Sequence, residues 1–268
     1  MSFDIFKEIL KAVEEGRSAV VATVLQHRGS SPGKVNHKML VYADGRIVGT
    51  IGGGVMEAEV LKACAVALDK GRGDVLELLI SDKGEGAVGG VCGGKAMVAL
   101  EVLPDIPRIL ICGGGHIAEA VGAMCEQLGF LHEVHEDRAE MVDADKFPAA
   151  RRIHVGEVED IVSAVGDPSR FSHVLLVSRG HATDRVYARA LARSGFKSWV
   201  GMLGSQKKKK IVWDLWLNED ALDPSFVDRV ECPVGLPIGA RTPAEIALSI
   251  MARIVEDLHG SRASKRKA

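Results

Sequence analysis

Aromatic residues are scarce, at 4% of 268 residues, so the interior must be built mainly from aliphatic side chains. No charge dominates: 34 Lys and Arg stand against 36 Asp and Glu, a formal net charge of −2. Phosphate-rich partners favour a clear basic excess, so neither a nucleic-acid nor a membrane-surface protein is expected. Cysteine is sparse as well. The five, at 64, 92, 112, 125 and 232, form no CxxC pair and leave one over, which argues against a disulfide framework and for a reducing cytoplasm. The longest apolar runs, residues 109–112 and 174–177, fall far short of a membrane span. The opening stretch MSFDIFKEILKAVEEG carries acids among its apolar residues, where a secretory signal has a basic start and an unbroken apolar core. No repeat of solenoid period occurs. What the chain does have is 47% hydrophobic residues and 30 glycines, which suit a soluble globular protein with tight loops.

Phe3, Phe6, Ile9, Leu10 and Val13 recur at helical spacing, between Ser2 as N-cap and Gly16 as stop. Residues 18–25 (SAVVATVL) are rich in β-branched side chains and read as a strand. Residues 38–43 and 46–51 flank Asp44-Gly45, a pair that tolerates the positive φ angles of a hairpin. After Gly52-Gly53-Gly54, residues 55–70 read as a helix. Residues 75–80 and 96–103 read as strands around a loop with six glycines, residues 84–94. Residues 1–103 are thus expected to form a small α+β domain. Pro104 and Pro107 bracket a joint. Beyond it come a strand at 108–112, a helix at 116–129, strands at 130–134 and 172–178, and helices near 184–194 and 243–258. This alternation predicts an α/β chain whose second part, residues 108–260, is a Rossmann-like parallel-sheet domain, with residues 261–268 a flexible tail.

The sharpest motif is Gly113-Gly114-Gly115-His116-Ile117-Ala118, which fits G-x-G-x-x-A between a strand and a helix. Gly113 permits the tight turn, Gly115 lets backbone approach a diphosphate, and Ala118 packs helix on strand. The helix end offers amides and partial positive charge to an anion. Glu136 and Asp137 follow at the end of the next strand, where an acid holds a ribose hydroxyl, and Asp137 lies 24 residues after Gly113. Glu136 favours NAD over NADP, while Arg138 argues the other way. His116 either faces the ligand or is a surface histidine.

Gly52, Gly53 and Gly54 also lie between a strand and a helix and are candidates to cradle a phosphate. Glu57 either complements that helix's dipole or holds a polar ligand ring. Cys92, in the glycine loop, is either a thiol able to reach a ligand or soft metal or a small half-buried residue. Ser178-Arg179-Gly180-His181-Ala182-Thr183-Asp184 follows a strand, on the side where open parallel sheets bind ligands, which marks Arg179 and His181. His181 and Asp184 are candidates for an orienting pair, unless Asp184 simply caps the next helix. The lysines at 207–210 either clamp a phosphate or form a solvated face.

Taken together, Gly29-Ser30-Ser31-Pro32, Gly49-Thr50-Ile51-Gly52-Gly53-Gly54 with Glu57, Cys92-Gly93-Gly94, the loop from Gly113 to Ala118, SRGHATD at 178–184, GMLGS at 201–205 and residues 233–242 leading into PAEIALSI resemble the XdhC/CoxI family, in the family's order and over nearly the whole chain. The resemblance implies a chaperone rather than an enzyme. Such a protein holds molybdenum cofactor, supports its sulfuration and passes it to an apo molybdenum hydroxylase such as xanthine dehydrogenase, with a cysteine desulfurase as a further partner. Val55 stands where many members carry cysteine directly after the glycine run, leaving Cys92 as the candidate metal ligand. Two glycine-rich anion sites on separate domains would suit an elongated phosphorylated ligand, and a homodimer is the commonest assembly. The alternatives are an NAD(P)-dependent oxidoreductase with His181 as proton donor, and a nucleotide-sensing interaction protein.

Overall fold

The computed structural model describes residues 3–28, 33–80 and 94–265 and divides into two compact units, Met1–Asp105 and Ile106–Ala268. Within the first, α1 (Phe3–Glu15) precedes β1 (Ala19–Arg28), β2 (Lys38–Tyr42), β3 (Ile47–Gly49), α2 (Gly54–Lys70), β4 (Asp74–Ile80) and β5 (Gly94–Val102). The strands form one antiparallel sheet in the order β3-β2-β1-β5-β4. Asp44-Gly45 turns the β2–β3 hairpin as expected, with Gly45 at φ 87° and Asp44 accepting from the Arg46 amide at 2.9 Å. Buried residues of α2, Met56, Val60, Cys64 and Ala67, pack on Val20, Ala22, Val24 and Val98. On α1 the packed face is set by Ile5 and Ala12 with Ile9 and Val13, whereas Phe6 (48%) and Leu10 (58%) are exposed. The helical period is as read, but the face is rotated from the one centred on the phenylalanines. The six-glycine loop with Cys92, and residues 29–32, lie outside the described residues.

The second unit runs β6 (Arg108–Cys112), α3 (His116–Leu128), β7 (Leu131–Glu136), β8 (Arg152–Val155), α4 (Ile161–Val165), β9 (His173–Leu176), α5 (His181–Arg193), β10 (Trp199–Met202), α6 (Gln206–Asn218), α7 (Pro224–Val227), β11 (Val230–Glu231) and α8 (Pro243–Lys265). All six strands are parallel, in the order β11-β10-β9-β6-β7-β8. This is the doubly wound order of a Rossmann sheet, with its topological switch between β6 and β9. Side chains alternate across the sheet. Leu110 and Cys112 meet α4, α5 and α6 on one face, and Ile109 and Ile111 meet α3 and α8 on the other. Continuous apolar runs such as RILIC follow from this double covering. Helix α8 continues through residues 261–265, part of the stretch read from sequence as a tail. Among the described residues, no helix is long and apolar enough to cross a membrane.

Three buried histidines sit in these strands. His132 and His173 flank Ile109 in register, and among the described residues neither ring nitrogen of His132 finds a partner. The His135 Nδ1 lies 2.8 Å from the Tyr187 hydroxyl. Burial lowers the pKa of all three, that of His135 to about 4. The native state therefore excludes protons that the unfolded chain takes up below about pH 6.5, and stability is full above that pH and falls as pH drops toward 4. Each such histidine steepens the fall, by at most about 1.4 kcal/mol per pH unit. The expectation for His132→Leu, followed by urea unfolding at pH 6.0 and 5.0, is a smaller loss between the two than in wild type. Equal losses would contradict the role assigned to His132.

Candidate functional site

At the carboxyl end of β6 the chain turns through Gly113 into α3. Gly113 has φ 132°, and a Cβ there would lie 2.5 Å from the Val177 carbonyl oxygen, so only glycine fits between β6 and the end of β9. Gly115 is the N-cap residue of α3, and a Cβ built on it meets nothing within 4 Å. Ala118 is fully buried in the core beneath the sheet. Gly113 thus makes the tight turn and Ala118 the helix-on-strand packing read from the sequence. His116 is the first residue of α3 and is exposed.

Glu136 departs from expectation. Its carboxylate is turned inward, 2% exposed for the residue as a whole, and accepts from the Gly114 amide at 2.7 Å and the Arg138 Nε at 2.9 Å. The acid read as the holder of a ribose hydroxyl is committed to the protein's own donors, because leaving a buried amide unpaired would be costly. Asp137 pairs with Arg179, whose hydrogen bond holds the Asp137 carboxyl below the usual range. Arg179, 47% exposed in its side chain, belongs to the loop after β9 and so ties the ends of two strands together.

The same loop places His181 at the first residue of α5, exposed and without a side-chain partner among the described residues. His181 and Asp184 form no pair. Asp184, 1% exposed, instead accepts from the Ser178 hydroxyl at 2.5 Å and from the Lys208 Nζ at 2.7 Å. Lys208 also donates to the Leu203 carbonyl at 2.6 Å. One of the four consecutive lysines is therefore a structural cation that fixes the crevice loop to α6. Nothing in a run of lysines distinguishes it; only the burial of Asp184 could have flagged a need for a partner. The N-cap of α6 is Ser205, accepting from the Lys208 amide at 3.2 Å.

In the first unit, Gly52, Gly53 and Gly54 all adopt positive φ, and a single oxygen of Glu57 fills the concavity they create. Glu57 Oε2 accepts from the Thr50 hydroxyl at 2.7 Å, the Gly53 amide at 2.9 Å and the Ile51 amide at 3.3 Å, while Thr50 Oγ1 takes the Gly52 amide at 3.1 Å. Of the donors that the sequence offered to a phosphate, the Gly53 amide is thus taken by Glu57 and the Gly52 amide by Thr50, so Glu57 closes the loop. Val55 is exposed in the first turn of α2. Cys92 lies outside the described residues. The remaining cysteines are buried, and burial raises their thiols: Cys64 to about 11, Cys125 to about 12, Cys112 and Cys232 upward. Among the described residues, no group of three or more His, Cys, Asp or Glu could hold a metal ion.

The crevice at the carboxyl ends of β6 and β9 lies where doubly wound sheets bind ligands. It presents the first turns of α3 and α5, with Gly115, His116, Arg179 and His181. Comparison with known proteins agrees with this frame. The family model of the XdhC Rossmann domain matches residues 109–254, and that of the XdhC and CoxI family matches residues 12–79. The uncharacterized protein YqeB of Escherichia coli (strain K12) is 32% identical over 258 residues, 94% of this chain and 46% of that protein, so the chain spans about half the length of this curated relative. A crystal structure described as a xanthine dehydrogenase from Bacillus halodurans is similar in fold, with a TM-score of 0.52, 19% identity, and coverage of 94% of this chain and 96% of that one.

Removing the cation from the Asp184 pair is the direct check of the loop's anchor. Lys208→Met leaves a buried carboxylate uncompensated and is expected to cost about 3 kcal/mol in chemical denaturation. Adding Asp184→Asn should recover part of that loss. A single variant as stable as wild type would show that the pair does not anchor the loop.

Proposed function

The chain belongs to the XdhC and CoxI family, and on that footing we propose that it is an accessory protein that carries molybdenum cofactor, supports its sulfuration and delivers it to an apo hydroxylase of the xanthine dehydrogenase type. One observation carries the reading: the switch-point crevice has the makings of a holding site for an anionic group. Amides and dipoles of α3 and α5, with Arg179, suit the phosphate end of such a cargo. His116 and His181 stand at the rim with no nucleophile, and no orienting carboxylate, hydrogen-bonded to either among the described residues; a general base needs such partners to hold its geometry. Ser178 is hydrogen-bonded to Asp184, whose charge Lys208 already balances, so its hydroxyl has no base free to activate it.

Fit to the two halves of the cargo differs. The phosphate and pterin find polar donors, whereas the buried, protonated thiols at 64, 112, 125 and 232 are unsuited to a soft metal, leaving Cys92 as this chain's own thiol for it. Release to a client follows naturally if the metal is weakly held. A cysteine desulfurase as sulfur source and assembly as a homodimer complete the proposal. The competing reading, an NAD(P)-dependent oxidoreductase with His181 as proton donor, draws on the strand order and the glycine loop alone.

The test is to purify the protein from cells making the cofactor, then measure molybdenum by mass spectrometry and pterin by fluorescence after oxidation. Both are expected near one per chain, and at least tenfold lower in an Arg179→Ala, His181→Ala variant that folds normally. Metal and pterin at background in the wild type, with NADH oxidised in the presence of a carbonyl substrate, would replace the carrier with the oxidoreductase.

A further inference from the structure

An ionised carboxylate offers about four lone-pair directions to donors. On Glu136 all four are taken. Oε2 accepts from the Gly114 amide at 2.7 Å and Arg138 Nη2 at 3.1 Å, and Oε1 accepts from Arg138 Nε at 2.9 Å and the Arg138 amide at 3.3 Å. No direction remains for the hydroxyls of a ribose. Arg138 is the reason, since three of the four bonds are its own. Asp137, the next acid along, is neutralised by Arg179. The solvent side of this end of β7 is therefore lined by two guanidinium groups, their side chains 33% and 47% exposed. Among the described residues, Arg138 Nη1 and Arg179 Nη2 have no protein acceptor, so each group keeps donors to spare.

We infer that Arg138 is a specificity-determining residue that shuts the ribose-reading carboxylate, so that the crevice takes a ligand bringing a phosphomonoester, not a ribose diol, to the end of β7. The chemistry is plain. A diol needs an acceptor with free lone pairs, whereas a phosphomonoester needs forked cationic donors and is repelled by a bare carboxylate. With Glu136 sealed and two arginines outward, this rim offers the second environment. A 2′-phosphorylated nucleotide and a phosphorylated pterin both carry such a group. The inference rests on the carrier reading for the place of binding but not for the identity of the phosphate's owner.

Isothermal titration of the full chain with two pairs of probes tests it: 5′-AMP against 2′,5′-ADP, and 6-hydroxymethylpterin against its phosphate. The member carrying the added phosphomonoester in at least one pair is expected to bind about tenfold or more tightly, and the pair showing the gain identifies the source. In Arg138→Ala that advantage should shrink about tenfold while 5′-AMP gains affinity, because Glu136 regains free lone pairs. Arg138→Lys keeps the charge but loses the fork and should fall between. Thermal unfolding of both variants checks that the fold is intact. Probes that bind with no phosphate preference, or a preference for 5′-AMP, would overturn the inference and leave the carrier proposal standing. Failure of every probe to bind a chain that still copurifies with molybdenum and pterin would do the same. Failure to bind by a chain that carries no cargo would end both.

Discussion

A buried backbone amide must find an acceptor, and in this protein the acceptors at the sharpest turns are its own carboxylates. Glu136 takes the Gly114 amide, Glu57 takes the Ile51 and Gly53 amides, and Asp184 takes the Ser178 hydroxyl. Each carboxylate sits where a glycine-rich or polar loop leaves a strand for a helix. The glycines create the concavity and the acid fills it. Hydrogen bonds that fix a loop's shape without a ligand lower the ordering cost of binding. They are also selective, because fewer amides are left for a guest.

The two units differ in this respect. In the first, Glu57 and Thr50 take the Gly53 and Gly52 amides of the glycine run before α2. In the second, the turn after β6 is pinned from behind by Glu136, yet the first turns of α3 and α5 still face the crevice. Charge balance follows the same logic: Arg138 answers Glu136, Arg179 answers Asp137, and Lys208 answers Asp184. The acids Glu136, Asp137 and Asp184 beside the crevice are all paired, and Arg179, His116 and His181 are exposed at its rim.

Much of this was legible in the residues. The strand–glycine–helix pattern at Gly113 and the alternation of RILIC and SHVLLVS with helices specify a doubly wound sheet, because only double covering tolerates unbroken apolar strands. The order of motifs along the chain marked the family. The short strands β8, β10 and β11 and the helices α4, α6 and α7 were not legible. β8 and β10 are only four residues long and β11 two, and α6 carries four lysines in its first turns, placed against the helix dipole and so unlike a helix start. The face of α1 was misjudged because Phe6 and Ile5 lie one residue apart, and periodicity alone does not choose between them. Which donors each acid would capture was also beyond the sequence: Glu57 and Glu136 reach loops that a linear reading treats as open.

The central claim is that the crevice at the carboxyl ends of β6 and β9 holds the guest while the glycine run of the first unit does not. Amide hydrogen exchange on the full chain, with and without released molybdenum cofactor, addresses it in one comparison. The account predicts slowed exchange across residues 113–118 and 178–183 with residues 51–57 unchanged. Protection confined to residues 51–57, with the crevice unaltered, would contradict it.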